Sequence, residues 1–274
     1  MAYKLGGHLP DPDDEKSRQS YWNFGAQLRP HLTPSSGDVD LRPFSSPRHD
    51  QGQTGTCVAH ATIKALENLE RQHICQERGI APAQLGASGH QNLSVLALYY
   101  LCREQMNPSQ VENDSGTRPS IACDCLRRFG VCTDDQWPYD LSKLYQSPSI
   151  MAMREAYIHK VSAYYRITET GHDRVQSVID ALRSNHPVIF GTTIGEDWQA
   201  YKARQVLQLP SKPEGGHSTH LIGWDNSLGV FIGENSWGTN WGDEGFYLLA
   251  PEVVADPISM DFWVITGTWE DVHA

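Results

Sequence analysis

The 274-residue chain has no stretch approaching eighteen consecutive apolar residues, so nothing in it reads as a membrane-spanning helix. Its start, Met1-Ala2-Tyr3-Lys4-Leu5-Gly6-Gly7-His8, lacks the apolar centre of a Sec-type secretory signal, which leaves a cytoplasmic location and export by another route equally open. Runs of Lys and Arg are also missing. With 22 basic against 33 acidic residues and a formal net charge of −11, the chain lacks the cationic surface that neutralising phosphates requires, and nucleic acid is not an expected partner. Cysteine is sparse for this length, at positions 57, 75, 102, 123, 125 and 132, so disulfides are not the framework of the fold. Bridges among Cys102, Cys123, Cys125 and Cys132 stay open. Cys123, Cys125 and Cys132 have no second C-x-x-C or histidine pair beside them, and neither His60 nor His220 completes a zinc spacing; no metal and no organic cofactor is expected. There is no internal repeat, and nothing indicates an oligomeric state.

What is present changes character along the chain. Residues 1–46 are rich in Pro, Asp and Ser, with turn-forming stretches at Pro10-Asp11-Pro12-Asp13-Asp14-Glu15 and Thr33-Pro34-Ser35-Ser36-Gly37. They read as an extended arm, with a solvated tail favoured over a segment that covers the rest of the chain. From Cys57, apolar or small residues recur at Val58, Ala61, Thr62, Ala65 and Leu69, which predicts one helix ending at Gly79. Further helices are predicted over about 93–105 and about 119–129, the last capped by Thr117 and stopped by Gly130. Beyond about residue 150 the pattern turns to β-rich runs at 161–168, 188–194, 219–224, 230–233, 246–249 and 262–266, interrupted by one helix near 173–183. Helices first and an antiparallel sheet afterwards indicate an α+β chain with a mainly helical lobe over 47–150 and a β-rich lobe over 151–274.

Cys57 closes the polar run Gln51-Gly52-Gln53-Thr54-Gly55-Thr56 and opens the first helix. Unpaired amides and the positive end of the helix dipole stabilise a thiolate there. A lone cysteine at such a place is more often a small buried residue, so its partners decide. His217 stands ahead of the strand-like Thr219–Trp224, and Asn235 opens Asn235-Ser236-Trp237-Gly238, followed by Trp241-Gly242 and Gly245-Phe246.

These three blocks, in this order, resemble the papain-like cysteine peptidases. The nucleophile block carries Gln51 six residues before Cys57, and His217 stands six residues before Gly223-Trp224. Thr54 and Val58 depart from the cysteine and tryptophan of well-known members. His217 and Asn235 follow Cys57 by 160 and 178 residues, beyond the roughly 130–150 of the papain and cathepsin subgroup, which implies insertions. Val39-Asp40-Leu41-Arg42-Pro43, Gly130-Val131-Cys132 and Trp137-Pro138-Tyr139 are similar to a divergent, bacterial-type branch.

The resemblance implies a papain-like two-lobed fold, with a helical lobe, an antiparallel β-barrel-like lobe and the active-site cleft between them. It implies a cysteine peptidase acting on peptide or protein substrates through a pre-formed Cys57–His217 thiolate–imidazolium pair and a thioester acyl-enzyme. Asn235 would orient His217, Gln51 and the Cys57 amide would bind the oxyanion, and Trp237 would shield the His217–Asn235 bond. Gly116 and Thr117 would pair with an extended substrate. Pro119, Gly215 and Ser218 would border the pocket for the second residue before the scissile bond, with Gly216 beside them. An acyltransferase or peptide ligase on the same scaffold, and a non-catalytic peptide-binding module or effector, remain as alternatives.

Overall fold

The structure is a computed structural model, and it describes residues 3–12, 37–86 and 89–268. Both turn-forming stretches noted in the N-terminal arm lie largely outside these residues. Helix α1 (Cys57–Arg78) is the longest of the described helices and ends as its sequence predicts, on Gly79 in the left-handed conformation with φ 61°. Helices α2 (Pro82–Leu85), α3 (Val95–Met106) and α4 (Pro119–Arg128) complete the first half. Thr117 does not cap α4. The cap position is Arg118, and the Thr117 hydroxyl turns instead to the Met106 sulfur, 3.2 Å away. Gly130, with φ 73°, takes up the chain reversal after α4, and its N–H bonds back to the Cys125 and Leu126 carbonyls.

The second half builds a sheet from β2 (Val161–Ile167), β3 (Val188–Ile194), β4 (Val206–Leu207), β5 (Gly215–Asp225), β6 (Val230–Glu234), β7 (Phe246–Leu249) and β8 (Ser259–Thr268). The spatial order is β2-β8-β3-β5-β6-β7-β4, with β1 (Val39–Asp40) added beside β5. All pairings are antiparallel except β4 with β7. Helix α5 (Gly171–Arg183) is the predicted interruption, and two short helices, α6 (Glu196–Gln199) and α7 (Pro251–Ala255), join it.

The expected barrel-like closure is not found; the sheet is open. The alternation of side chains across a strand explains why. Val188, Phe190, Phe262 and Val264 belong to one core with α5 and α7, whereas the intervening Ile189, Trp263 and Ile265 belong to the other core with α1, α3 and α4. Both faces of the central strands are therefore buried against other elements, and no face is left to enclose. The same packing lays α1 against β5, which brings the N-terminus of the Cys57 helix to the strand that carries His217.

Candidate active site

Cys57 is the first residue of α1 and is buried, with its sulfur accepting from its own N–H, from the Val58 N–H and from the Ser218 N–H. Two of these donors are helix N-terminal amides with no helical acceptor of their own. The third comes across from β5, one residue beyond His217. The His217 ring lies fully buried between aromatic rings, tilted on Trp237 at 4.9 Å and edge-on to Trp198 at 6.3 Å.

The protonation of this ring follows from its partner. Asn235 Oδ1 lies 2.8 Å from His217 Nε2 and also accepts the Ser236 N–H at 2.8 Å, so it is the carbonyl oxygen and Nε2 must be the donor. Nδ1 is then the basic nitrogen, and it has no hydrogen-bond partner among the described residues. The Trp237 ring lies against the His217 ring.

Gln51 is buried at the junction of the lobes. Its N–H donates to the Ser236 carbonyl, its side-chain Oε1 accepts from the Ser236 hydroxyl at 2.7 Å, and Nε2 donates to the Thr54 carbonyl at 2.9 Å. With the carbonyl end held, the amide nitrogen stays fixed beside the Thr54–Cys57 turn. Beneath the site, Lys64 on α1 pairs with Glu234 on β6 at 2.9 Å, both buried, joining the helix of Cys57 to the residue before Asn235. His60 packs near Tyr139 and His49, and His220 lies 3.8 Å from Glu234, so both serve the packing around the site. All six cysteines are free thiols.

Residues 3–12 are not a solvated tail; they run through this cleft. Thr117 N–H donates to Gly7 O at 3.0 Å and Leu9 N–H donates to Thr117 O at 2.9 Å, an isolated parallel bridge between His8 and Thr117. On the other side Gly6 N–H reaches Gly216 O at 2.8 Å. Tyr3 stacks on Trp237 with centroids 4.6 Å apart, and its hydroxyl donates to the Trp237 carbonyl. Lys4 pairs with Asp114, which also accepts from Tyr99 and the Gly55 N–H. Burial pushes the Asp114 carboxyl up, but these donors hold it below its ordinary range. Gly7 lies directly on Cys57: a Cβ there would stand 2.6 Å from Gly55 O and 2.8 Å from the Cys57 sulfur. Gly116, at φ 77°, is equally constrained, since its Cβ would fall 2.4 Å from Gly7 O.

The sequence-predicted binding residues thus meet the arm. Thr117, Gly216 and Trp237 bond or stack with it, Gly116 lies against Gly7 while its N–H goes to the Tyr99 hydroxyl, and Gly215 abuts Leu5. Ser218 touches the Cys57 sulfur instead, with its hydroxyl on the Phe190 carbonyl. Pro119 is buried as the first residue of α4. His8, Gly191, Asp261 and the arm's contacts carry no sequence signal, because residues so far apart in the chain meet only through the fold.

Burial of the site works against the expected thiolate–imidazolium pair. Burial pushes the Cys57 thiol up to about 12 against the pull of its three backbone donors. Burial also lowers His217 to about 4, against the opposing effect of the Asn235 bond. Burial thus favours the neutral form of each group.

Residues 34–262 match the papain family cysteine proteases. An uncharacterised peptidase C1-like protein of Acanthamoeba polyphaga mimivirus is 29% identical over 268 residues, covering 92% of this chain and 80% of that protein. Bovine pro-cathepsin H is 25% identical over 257 residues, covering 86% of this chain and 68% of its own. The crystal structure of xylellain, a cysteine protease from Xylella fastidiosa, superimposes with a TM-score of 0.74 at 26% identity and covers 98% of both chains. With the match spanning most of its length and a papain-like fold throughout, the chain belongs to the papain family and is a cysteine endopeptidase.

Proposed function

We propose that the protein hydrolyses peptide bonds with Cys57 as nucleophile and His217 as its acid–base partner, and that residues 3–12 hold it closed until they are displaced. The observation that carries this reading is the pairing of a committed Nε2 with an uncommitted Nδ1 on His217, one residue from the N–H that meets the Cys57 sulfur. Once the arm leaves and water enters, the desolvation that keeps thiol and imidazole neutral falls away, and the helix amides and the imidazole favour proton transfer from sulfur to Nδ1.

The thiolate attacks the scissile carbonyl, and the oxyanion takes hydrogen bonds from the Cys57 N–H and the Gln51 amide. His217 gives its proton to the departing amine, leaving a thioester. It then draws a proton from the water that attacks this thioester, and release of the acid restores the thiol. Asn235 keeps the ring in its plane without placing a second charge nearby. Gly116 and Thr117 pair with the substrate backbone in place of Gly7 and Leu9.

The test is peptide hydrolysis by the full-length chain with mass detection of the thioester intermediate. Wild type forms the adduct on Cys57 and turns over, whereas Cys57→Ala does neither. Equal turnover by the two proteins would end the proposal, and products carrying an added amine in place of hydroxide would move it to acyl transfer.

A further inference from the structure

The arm places one side chain, that of His8, into a buried pocket beside the nucleophile. Its ring lies flat over Gly191, where a Cβ would come within 2.1 Å of Nε2, so only a glycine leaves room for it. Gly216 borders the other edge, its Cβ position 3.5 Å from Nδ1. At the far end His8 Nε2 lies 3.1 Å from Asp261 Oδ2, and both side chains are almost wholly buried. Asp261 is itself shaped for this task. It takes a left-handed backbone conformation, φ 56°, at the irregular step where β8 pairs with Gly191 of β3.

The charges around Asp261 define what the pocket accepts. Arg166 occupies Oδ1 at 2.9 Å, and Arg174 stands close enough to Arg166 for the two cations to repel. Oδ2 takes the His8 ring and the Asp11 N–H, both supplied by the arm. The Asp11 carboxyl leaves with the arm as well; it is held by Ser120 and Trp263. An open cleft therefore presents a buried carboxylate oxygen that has lost both donors, backed by guanidinium groups. A flat ring with an N–H at its far end replaces what was lost. Leucine leaves the oxygen unpaired, and lysine or arginine brings a third cation.

We propose that Asp261 and Gly191 make this pocket select histidine in a peptide substrate, with His8 of the arm standing where the substrate histidine binds. This rests on the peptidase reading above, and its test separates the two. Peptidyl epoxides carrying His, Leu, Gln or Arg at the second residue before the reactive group are compared by their rates of Cys57 labelling, read by mass on the full-length chain at pH 7.5. An arm that must leave first scales every rate by the same open fraction, so the ratios report the pocket alone.

The His compound labels about tenfold or more faster than the Leu compound, since a site built to receive a hydrogen bond discriminates strongly against a ligand lacking the donor. In Asp261→Gly, which suits the left-handed backbone, the ratio falls to about one. Should that variant fail to fold, Gly191→Ala fills the place of the ring and must lower the ratio too. A wild-type ratio near or below one, with Cys57 still labelled, overturns the histidine pocket and leaves the peptidase standing. A ratio unmoved by the substitution that folds overturns the assignment to these residues. Failure of every compound to label Cys57 overturns the peptidase reading and this proposal with it.

Discussion

Replacing Gly7 by alanine adds one methyl group at the point where the arm crosses Cys57. That methyl meets Gly55 O at 2.6 Å and the Cys57 sulfur at 2.8 Å, contacts that neither a backbone carbonyl nor a helix-anchored thiol can relieve by rotating away. Overpacking of this kind costs about 1–3 kcal/mol. The whole penalty falls on the docked arm, because the open enzyme does not contain the contact, so the open fraction rises by about 5- to 150-fold while it remains the minor state. The assay is the second-order rate of Cys57 alkylation by iodoacetamide, followed by mass on the full-length chain. Gly7→Ala raises it by about that factor, whereas Gly37→Ala, at a position with open space around it, leaves it unchanged. A rate in Gly7→Ala equal to or below wild type would refute the claim that the arm seals the thiol.

Gln51→Ala lowers kcat by about 10²–10³ and leaves KM within a few-fold, because the lost donor acts on the oxyanion; unchanged kcat would remove Gln51 from the reaction. Lys64→Met removes the nearer cation from the buried Glu234 carboxylate and leaves it Arg48 at 3.4 Å, so about 1–3 kcal/mol of stability is lost, measured by urea unfolding. A stability within 1 kcal/mol of wild type would show that this pair does not join the lobes. Burial lowers His60 to about 3 and His186, His217 and His220 each to about 4, below the ordinary value of 6.5. These histidines bind protons more readily in the unfolded chain, so their contribution to stability is complete above pH 6.5 and is lost as pH falls towards 4. The Tm accordingly drops across that window, and a flat Tm between pH 6.5 and 4 would contradict the buried neutral assignments.

Much of the site was legible because local chemistry announces it. The spacing of Val58, Ala61, Ala65 and Leu69 with Gly79 behind them defines α1, and a cysteine opening that helix already has the amides its thiolate needs. His217 lies on β5 and Asn235, only 18 residues on, just past the end of neighbouring β6, so their order in sequence carries their geometry. Contacts set by tertiary packing were not legible. Strand β5 starts at Gly215, four residues before its apolar run, because Gly215–Ser218 pair with β3 and need no side-chain pattern to do so. Thr117 resembled a helix cap in sequence, yet both its backbone groups are engaged by the arm. The arm itself looked like a tail because two glycines, a histidine and prolines carry no periodicity. Its place is fixed by Gly116 and Gly191, whose missing side chains leave its groove, and by Asp261, 253 residues from His8.

The central claim is that Cys57 and His217 share a proton once the cleft is open. The most direct measurement is the pH dependence of Cys57 alkylation in the Gly7→Ala chain, with and without His217→Ala. A shared proton keeps alkylation substantial down to about pH 5, and removing the imidazole shifts the profile up to that of an ordinary thiol. Superimposable profiles for the two proteins would contradict it.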